Sequence, residues 1–342
     1  MQEAQYYHAV ALALQADYRK IAALKSRSLS WKEAWERLRS EGSAPQEPEE
    51  AWHTLTRGHM ELLLAEDPLY PPLLKEIPWP PFGIYVRGTL PPAEVLSVAV
   101  VGTRKATEGG RTLAATFARG LAECGIAVVS GLAFGIDAAA HAGALDRRGV
   151  TVAVLATGLD RVYPRSHGQL AERIAASGAL ISEYPPGSPA FPFRFLERNR
   201  IVSGLSRGTV IVEAPRASGA LATARFALEQ NREVMVAPGP AAHPHYYGSH
   251  GLIRAGATLV ASAEDILETL GLAADHRSPS SLLFQSPEEE LIFRALNEEG
   301  APLSIDNIIL RTNLKPNVVG HTLTFLLLKN IIKETGAGYC IA

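Results

Sequence analysis

Residues 97–107 read SVAVVGTRKAT: a small and apolar run that stops at a glycine and then presents Thr103 and Arg104. A run without polar alternation suits a strand buried on both faces, and such strands belong to parallel sheets covered by helices. Working outward, six more runs of this kind follow, at 127–130, 152–155, 179–182, 209–213, 233–237 and 258–260. Stretches with helical spacing fill the gaps, near 107–123, 136–147, 166–177, 198–205, 219–230, 249–255 and 263–270. Strand and helix in alternation predict an α/β fold: an extended Rossmann-like parallel sheet with helices on both faces.

The flanks differ from this centre. Residues 1–40 have helical spacing, 41–50 form an acidic, proline-bearing break, and helical spacing returns over 51–65. Prolines are dense from 68 to 92, a stiff connector with one strand at 84–87. After a polar linker at 273–286 come helices near 288–299, 304–312 and 316–329, then a hairpin turning at ETGAGY. Three helices and a terminal hairpin are the pattern of a winged helix. The expected organisation is therefore a helical domain at 1–75, the Rossmann-like domain at 76–272, the linker, and a winged-helix domain at 287–342.

Composition narrows the function. The 342 residues carry a formal net charge of −2, which argues against coating nucleic acid through bulk basicity. Residues 97–270 hold 17 basic and 14 acidic side chains, and every basic one except Lys105 is arginine. Arginine favours bidentate contact with phosphate, so a polyanion site is expected to be local and central. Cys124 and Cys340 fit no metal or redox spacing and read as buried thiols in a reducing cytoplasm. No signal-peptide pattern opens the chain and no apolar run approaches a membrane span, so a cytoplasmic protein without membrane attachment is expected.

Two glycine-bearing turns follow adjacent strands. Gly102-Thr103-Arg104 follows the first, but a dinucleotide fingerprint needs glycine where Arg104 stands and an acid ending the second strand, where Ser130-Gly131 is found. GxxxxGK[ST] is absent as well. The second turn, SGLAFGID at 130–137, lets the backbone approach a ligand, with amides expected to be open to phosphate oxygens. Arg198-Asn199-Arg200 opens a helix just after Phe191, Phe193, Arg194 and Phe195. Arginines interleaved with rings hold single-stranded nucleic acid, cations on phosphates and rings on bases. In the competing reading the phenylalanines are core and the arginines pair with Glu183, Glu197 or Glu213. Ser218-Gly219 opens another helix, where an anion site and simple capping explain the residues equally. Asp137, Glu183 and Glu213 are candidate acid–base carboxylates, though no nucleophile motif accompanies them. His243, His245 and His250 fit no metal spacing and read as a polar loop. The third C-terminal helix is flanked only by Lys315 and Lys329, so packing or protein contact is expected of it rather than base reading.

These residues resemble the DNA processing protein A family, also called DprA or Smf. The resemblance runs in order through VGTRKAT, SGLAFGIDAAAH, TVAVLATGLDRVYP, ISEYPPG, RNRIVSGLS, SGALATARFALE and VMVAPGP to GLIRAGA, about half of the chain. Residues 67–71 and 80–88 resemble the family's segment ahead of the Rossmann domain. The likeness implies a non-enzymatic single-stranded-DNA-binding protein of natural transformation that protects incoming strands and loads RecA recombinase. It implies a homodimer formed through the Rossmann domain; the missing dinucleotide fingerprint and metal-ligand spacing lead to an expectation of no cofactor and no metal. Carried over by motif, the nucleic-acid-binding residues are Gly102, Thr103, Arg104, Ser130, Gly131, Phe195, Arg198, Asn199 and Arg200, with Arg194 beside them. One departure stands out: Leu196-Glu197 follows Phe195, where the family often has proline. The N-terminal helices resemble the family's sterile-alpha-motif-like domain.

The alternative is a Rossmann-type nucleotide-processing hydrolase that cleaves nucleoside monophosphates at the glycosidic bond. Its PGGxGTxxE helix start is approached by ASGALATARFALE at 217–229, which lacks the paired glycines and the acid at that distance. A protein adaptor with a vestigial pocket would leave Arg104, Arg198 and Arg200 unpaired at a cleft, which is costly without an anion.

Overall fold

The structure is a computed structural model and describes residues 2–43, 46–272, 286–299, 302–328, 331–336 and 338–341. The chain divides into two compact units, Met1–His276 and Arg277–Ala342.

The first unit opens with four helices, α1 (Glu3–Ala13), α2 (Tyr18–Lys25), α3 (Trp31–Ser40) and α4 (Pro48–Arg57). Polar residues start them: Asp17 caps α2 and Ser30 caps α3, each accepting an amide from the first turn. The helical spacing expected to run through residue 65 stops at Arg57. Residues Glu61–Leu64 form a strand, β1, with Leu62 and Leu64 buried and Glu61 exposed. A four-residue apolar run has no period long enough to separate strand from helix, and pairing with the next strand decides it. The short helix α5 (Pro72–Lys75) then leads into β2 (Gly83–Gly88).

The Rossmann-like part follows the expected alternation. It comprises β3 (Ser97–Val101), α6 (Glu108–Glu123), β4 (Ala127–Ser130), α7 (Ile136–Asp146), β5 (Thr151–Leu155), α8 (Gly168–Ser177) and β6 (Ala179–Ser182). It continues with α9 (Pro192–Gly204), β7 (Gly208–Ile211), α10 (Gly219–Glu229), β8 (Glu233–Val236), α11 (Tyr247–Arg254), β9 (Thr258–Leu259) and α12 (Ala263–Thr269). The nine strands lie in the order β1-β2-β6-β5-β4-β3-β7-β8-β9. From β6 to β9 neighbours are parallel, whereas β2 runs antiparallel to both β6 and β1. Side chains alternate across the sheet. Val98 and Val100 pack with Phe117 and Leu121 of α6, while Ala99 and Val101 pack with Ile201 and Val202 of α9. A third cluster joins the N-terminal helices to Tyr85, Leu155 and Leu180 of the sheet. The expected helical domain at 1–75 thus supplies an edge strand and packs on the sheet as part of the same unit.

In the second unit, α13 (Pro287–Glu299), α14 (Ile305–Thr312) and α15 (Pro316–Leu328) precede an antiparallel hairpin of β10 (Ile332–Thr335) and β11 (Gly338–Ile341). Ile292, Ile308, Val319, Leu326 and Ile332 form its core. The expected linker lies, apart from Ser286, outside the described residues, as does Lys329. Cys124 and Cys340, expected to be buried, are both half-exposed.

Candidate nucleic-acid interface

The sheet order fixes where a ligand meets the first unit. From β3 the chain steps outward through β4 and β5 to β6, then returns to lay β7 on the other side of β3. Loops leaving the carboxyl ends of β3 and β7 turn apart, and open α/β sheets bind ligands in that crevice. A cavity of about 360 Å³ occupies it. Its walls are Gly102, Thr103 and Arg104 after β3, Gly131 and Ala133 after β4, Ser218 and Gly219 at α10, and Phe195, Leu196, Arg198 and Asn199 on α9.

Arg104 is exposed at the mouth, its guanidinium 4.7 Å from the centre of the Phe195 ring. No ion pair to a carboxylate holds it among the described residues, so the stacked cation keeps its N–H groups for an incoming anion. Phe195 is half-buried, with the Tyr163 ring 5.3 Å away and itself 46% exposed. The slot thus presents one cation and two adjoining rings.

Arg198 forms the floor. Its Nη1 donates to the carbonyls of Gly131 (2.6 Å) and Val154, and Nε donates to Asn199 Oδ1. A Cβ at residue 131 would fall on that guanidinium, so any side chain there would displace Arg198. Burial pushes Arg198 down to about 10, with Asp137 opposing the shift, so it stays charged at neutral pH. Asn199 Nδ2 donates to Gly219 O at 3.3 Å and so ties α9 to the start of α10.

The amides expected to be open to phosphate are instead occupied by the protein's own acids. Asp137 Oδ2 accepts from Gly131 N (3.1 Å) and Ala133 N (3.4 Å). Burial raises its carboxyl above the usual range, against the pull of Arg198 and those two amides. Glu213 accepts from the Thr107 amide and hydroxyl, and its backbone carbonyl accepts from Thr103 N. Burial works to raise Glu213, but the Thr107, Tyr246 and His245 contacts together outweigh it and the net shift is downward. At α10, Ser218 caps the helix by accepting Ala220 N. Both carboxylates are loop clamps: Asp137 holds Gly131 six residues before it, and Glu213, two residues past β7, holds Thr107 in the loop after β3.

Three expected site residues lie elsewhere. Ser130 is fully buried and donates to Val100 O, joining β4 to β3. Arg200 sits on the far side of α9, where its Nη2 donates to both Glu183 oxygens at 2.7 and 2.9 Å and its guanidinium lies over Tyr18. Burial opposes its charged form, but Glu183 outweighs that and raises Arg200 overall. Arg194 is 3% exposed and donates to Gln15 O and Pro189 O. The competing reading of the arginines therefore describes Arg200. Glu197 takes the Tyr184 hydroxyl rather than an arginine. The structure also adds Leu196 to the cavity wall and Tyr163 beside Phe195, and it brings Ser218 and Gly219, read as an anion site or a cap, into the same cavity. Tyr163 had a usable signal: RVYPR at 161–165 interleaves ring and guanidinium in the same way as FRF.

Among the described residues no group of three or more His, Cys, Asp and Glu is arranged to hold a metal ion. His243 and His245 pack ring against ring, and His245 Nδ1 lies 3.7 Å from Glu213. Among those residues no helix is long and apolar enough to cross a membrane.

A sequence model described as DNA recombination-mediator protein A matches residues 61–271. Over 235 residues the chain is 46% identical to the putative DNA processing protein DprA of Mycobacterium tuberculosis, covering 67% of this chain and 60% of that protein. Over 239 residues it is 42% identical to protein Smf of Escherichia coli, covering 69% and 64%. The matches thus span less than two thirds of either relative. The X-ray structure of DprA from Streptococcus pneumoniae superposes with a TM-score of 0.65 at 33% identity, over 78% of this chain and 93% of that one. DprA from Helicobacter pylori, in a structure concerned with its single-stranded DNA binding mode, gives 0.55 at 29% identity, over 62% and 96%.

Proposed function

This chain belongs to the DNA recombination-mediator protein A family, and from that premise we propose that the slot between β3 and β7 holds a single strand of DNA. The observation that carries the reading is Arg104, an exposed guanidinium stacked on Phe195 with no ion pair to an acid among the described residues. A cation for phosphate beside rings for bases is the chemistry of sequence-tolerant single-strand binding. A slot of about 360 Å³ admits a nucleotide and excludes a base-paired duplex. Gly102, Thr103, Gly131, Arg198 and Asn199 shape its walls, while Ser130, Arg194 and Arg200 act through the frame behind it.

The finer reading follows from kinship: protection of incoming strands in natural transformation, loading of RecA recombinase, a homodimer through the Rossmann-like part, a winged helix at 287–342 and a cytoplasmic location. Binding rather than catalysis suits the site, because Asp137 and Glu213 are already engaged in holding loops.

The test is a salt titration of oligonucleotide binding by the full chain and by Arg104→Ala, with single- and double-stranded DNA of equal length. The variant is expected to lose most single-strand affinity and about one unit of salt slope per lost phosphate contact. Superimposable isotherms for the two proteins would remove Arg104 from the site, and equal affinity for duplex would end the single-strand reading.

A further inference from the structure

The turn that carries Phe195 also carries two rings with no part in the slot. Phe191, at the N-cap of α9, is 40% exposed, and Phe193 is 55% exposed. Their planes lie within 10° of parallel, with centres 5.7 Å apart. Large aromatic rings leave water readily, so two parallel rings held in it need a reason. Behind them is Arg194, its guanidinium 5.1 Å from the Phe191 ring, 6.0 Å from Phe193 and 4.5 Å from Tyr184. Because Arg194 gives its N–H groups to Gln15 O and Pro189 O, it serves as a fixed prop that sets the ring planes.

Resting on the reading of the slot as a single-strand site, we infer that Phe191 and Phe193 form a second stacking platform for the bases next along the strand. Continuity selects that occupant. Pro192, between the two rings, lines the slot, as do Phe195 and Leu196 one turn on. Leu196, 51% exposed, stands one helical turn beyond Phe193 and on the cavity wall, so slot and ring pair share the first turns of α9. Parallel exposed rings accept any base, since every base has a π face. Arg194 is then a positioning residue for this platform and makes no phosphate contact.

The experiment measures full-chain affinity for oligothymidylates of about 4 to 16 nucleotides. Affinity of the unaltered protein is expected to rise again once the strand outgrows the slot. The double variant Phe191→Ala/Phe193→Ala is expected to lose that second rise, about ten-fold on the longest strand, and to match the unaltered protein on the shortest. Arg194→Lys, which keeps the charge but loosens the prop and the tether to Gln15, is expected to weaken binding more on the long strands than on the shortest. Affinities unchanged at every length would overturn the platform, and so would an equal loss at every length, which marks damage to α9. A change in sedimentation of the DNA-free double variant would assign the rings to contact between copies of the chain and also overturn it. If the unaltered protein binds no oligothymidylate of any length, the reading of the slot fails instead.

Discussion

Helix α9 serves two regions that use the same residue type in opposite ways. On one side is the slot, where Arg104 lies exposed on Phe195 and Arg198 supports the floor. On the other is a dry seam against the N-terminal helices, where Arg200 meets Glu183 beneath Tyr18, and where His8 of α1 meets the Tyr85 hydroxyl of β2 at 2.8 Å. Arg198 and Arg200 are both about 4% exposed or less, yet one faces the carbonyls of Gly131 and Val154 and the other a carboxylate. Local partner and depth, rather than the arginine itself, decide which one floors the slot and which one braces the seam.

Three measurements bear on that contrast. The seam holds the largest effect: Glu183→Ala strands Arg200 as an unpaired buried charge and is expected to cost about 3–5 kcal/mol. Denaturant unfolding reads this directly, and a loss below 1 kcal/mol would mean that water reaches Arg200. Acid comes next. Burial lowers His8 to about 4 and His141 to about 3, against 6.5 in the unfolded chain. Both are neutral when folded, so their contribution is complete above pH 6.5 and is lost as pH falls toward those values. At pH 5 the expected loss is about 2 kcal/mol per histidine. His8→Gln, which cannot titrate, should flatten part of that fall in the urea midpoint between pH 7.5 and 5. The smallest effect belongs to the slot: Arg104→Ala is expected to move unfolding free energy by less than about 0.5 kcal/mol while DNA affinity collapses. A large drop in stability would erase the distinction between the two regions.

The sheet was legible because its strands are apolar on both faces, and the seven central runs match β3 to β9 within two residues at either end. β1 was not, since ELLL is too short to show a period and becomes a strand only by pairing with β2. The spacing of apolar residues starts α9 at 198, whereas the helix begins at Pro192, a residue that suits the first turn. Residues two apart on a helix point about 200° apart, so Arg198 and Arg200 were never able to share one slot. That signal was present in the motif itself. The engaged amides were harder to see. Asp137 reaches back to Gly131 across a turn whose path depends on Gly135, with φ of 78°. Glu213 reaches Thr107 across 106 residues of chain, which only the folded sheet brings together.

The Arg194 tether to Gln15 O has a consequence for anyone trimming this chain. The turn at Gln15 and Ala16, both with positive φ, is the anchor for the first residues of α9, and Tyr18 just beyond it roofs the Glu183–Arg200 pair. Deleting the leading helices to obtain a minimal version would therefore unpin the helix that carries Phe195 and flood an ion pair kept dry. Such a fragment would report on a loosened site, so the amino-terminal helices, about a sixth of the chain, are better regarded as part of the instrument than as its handle.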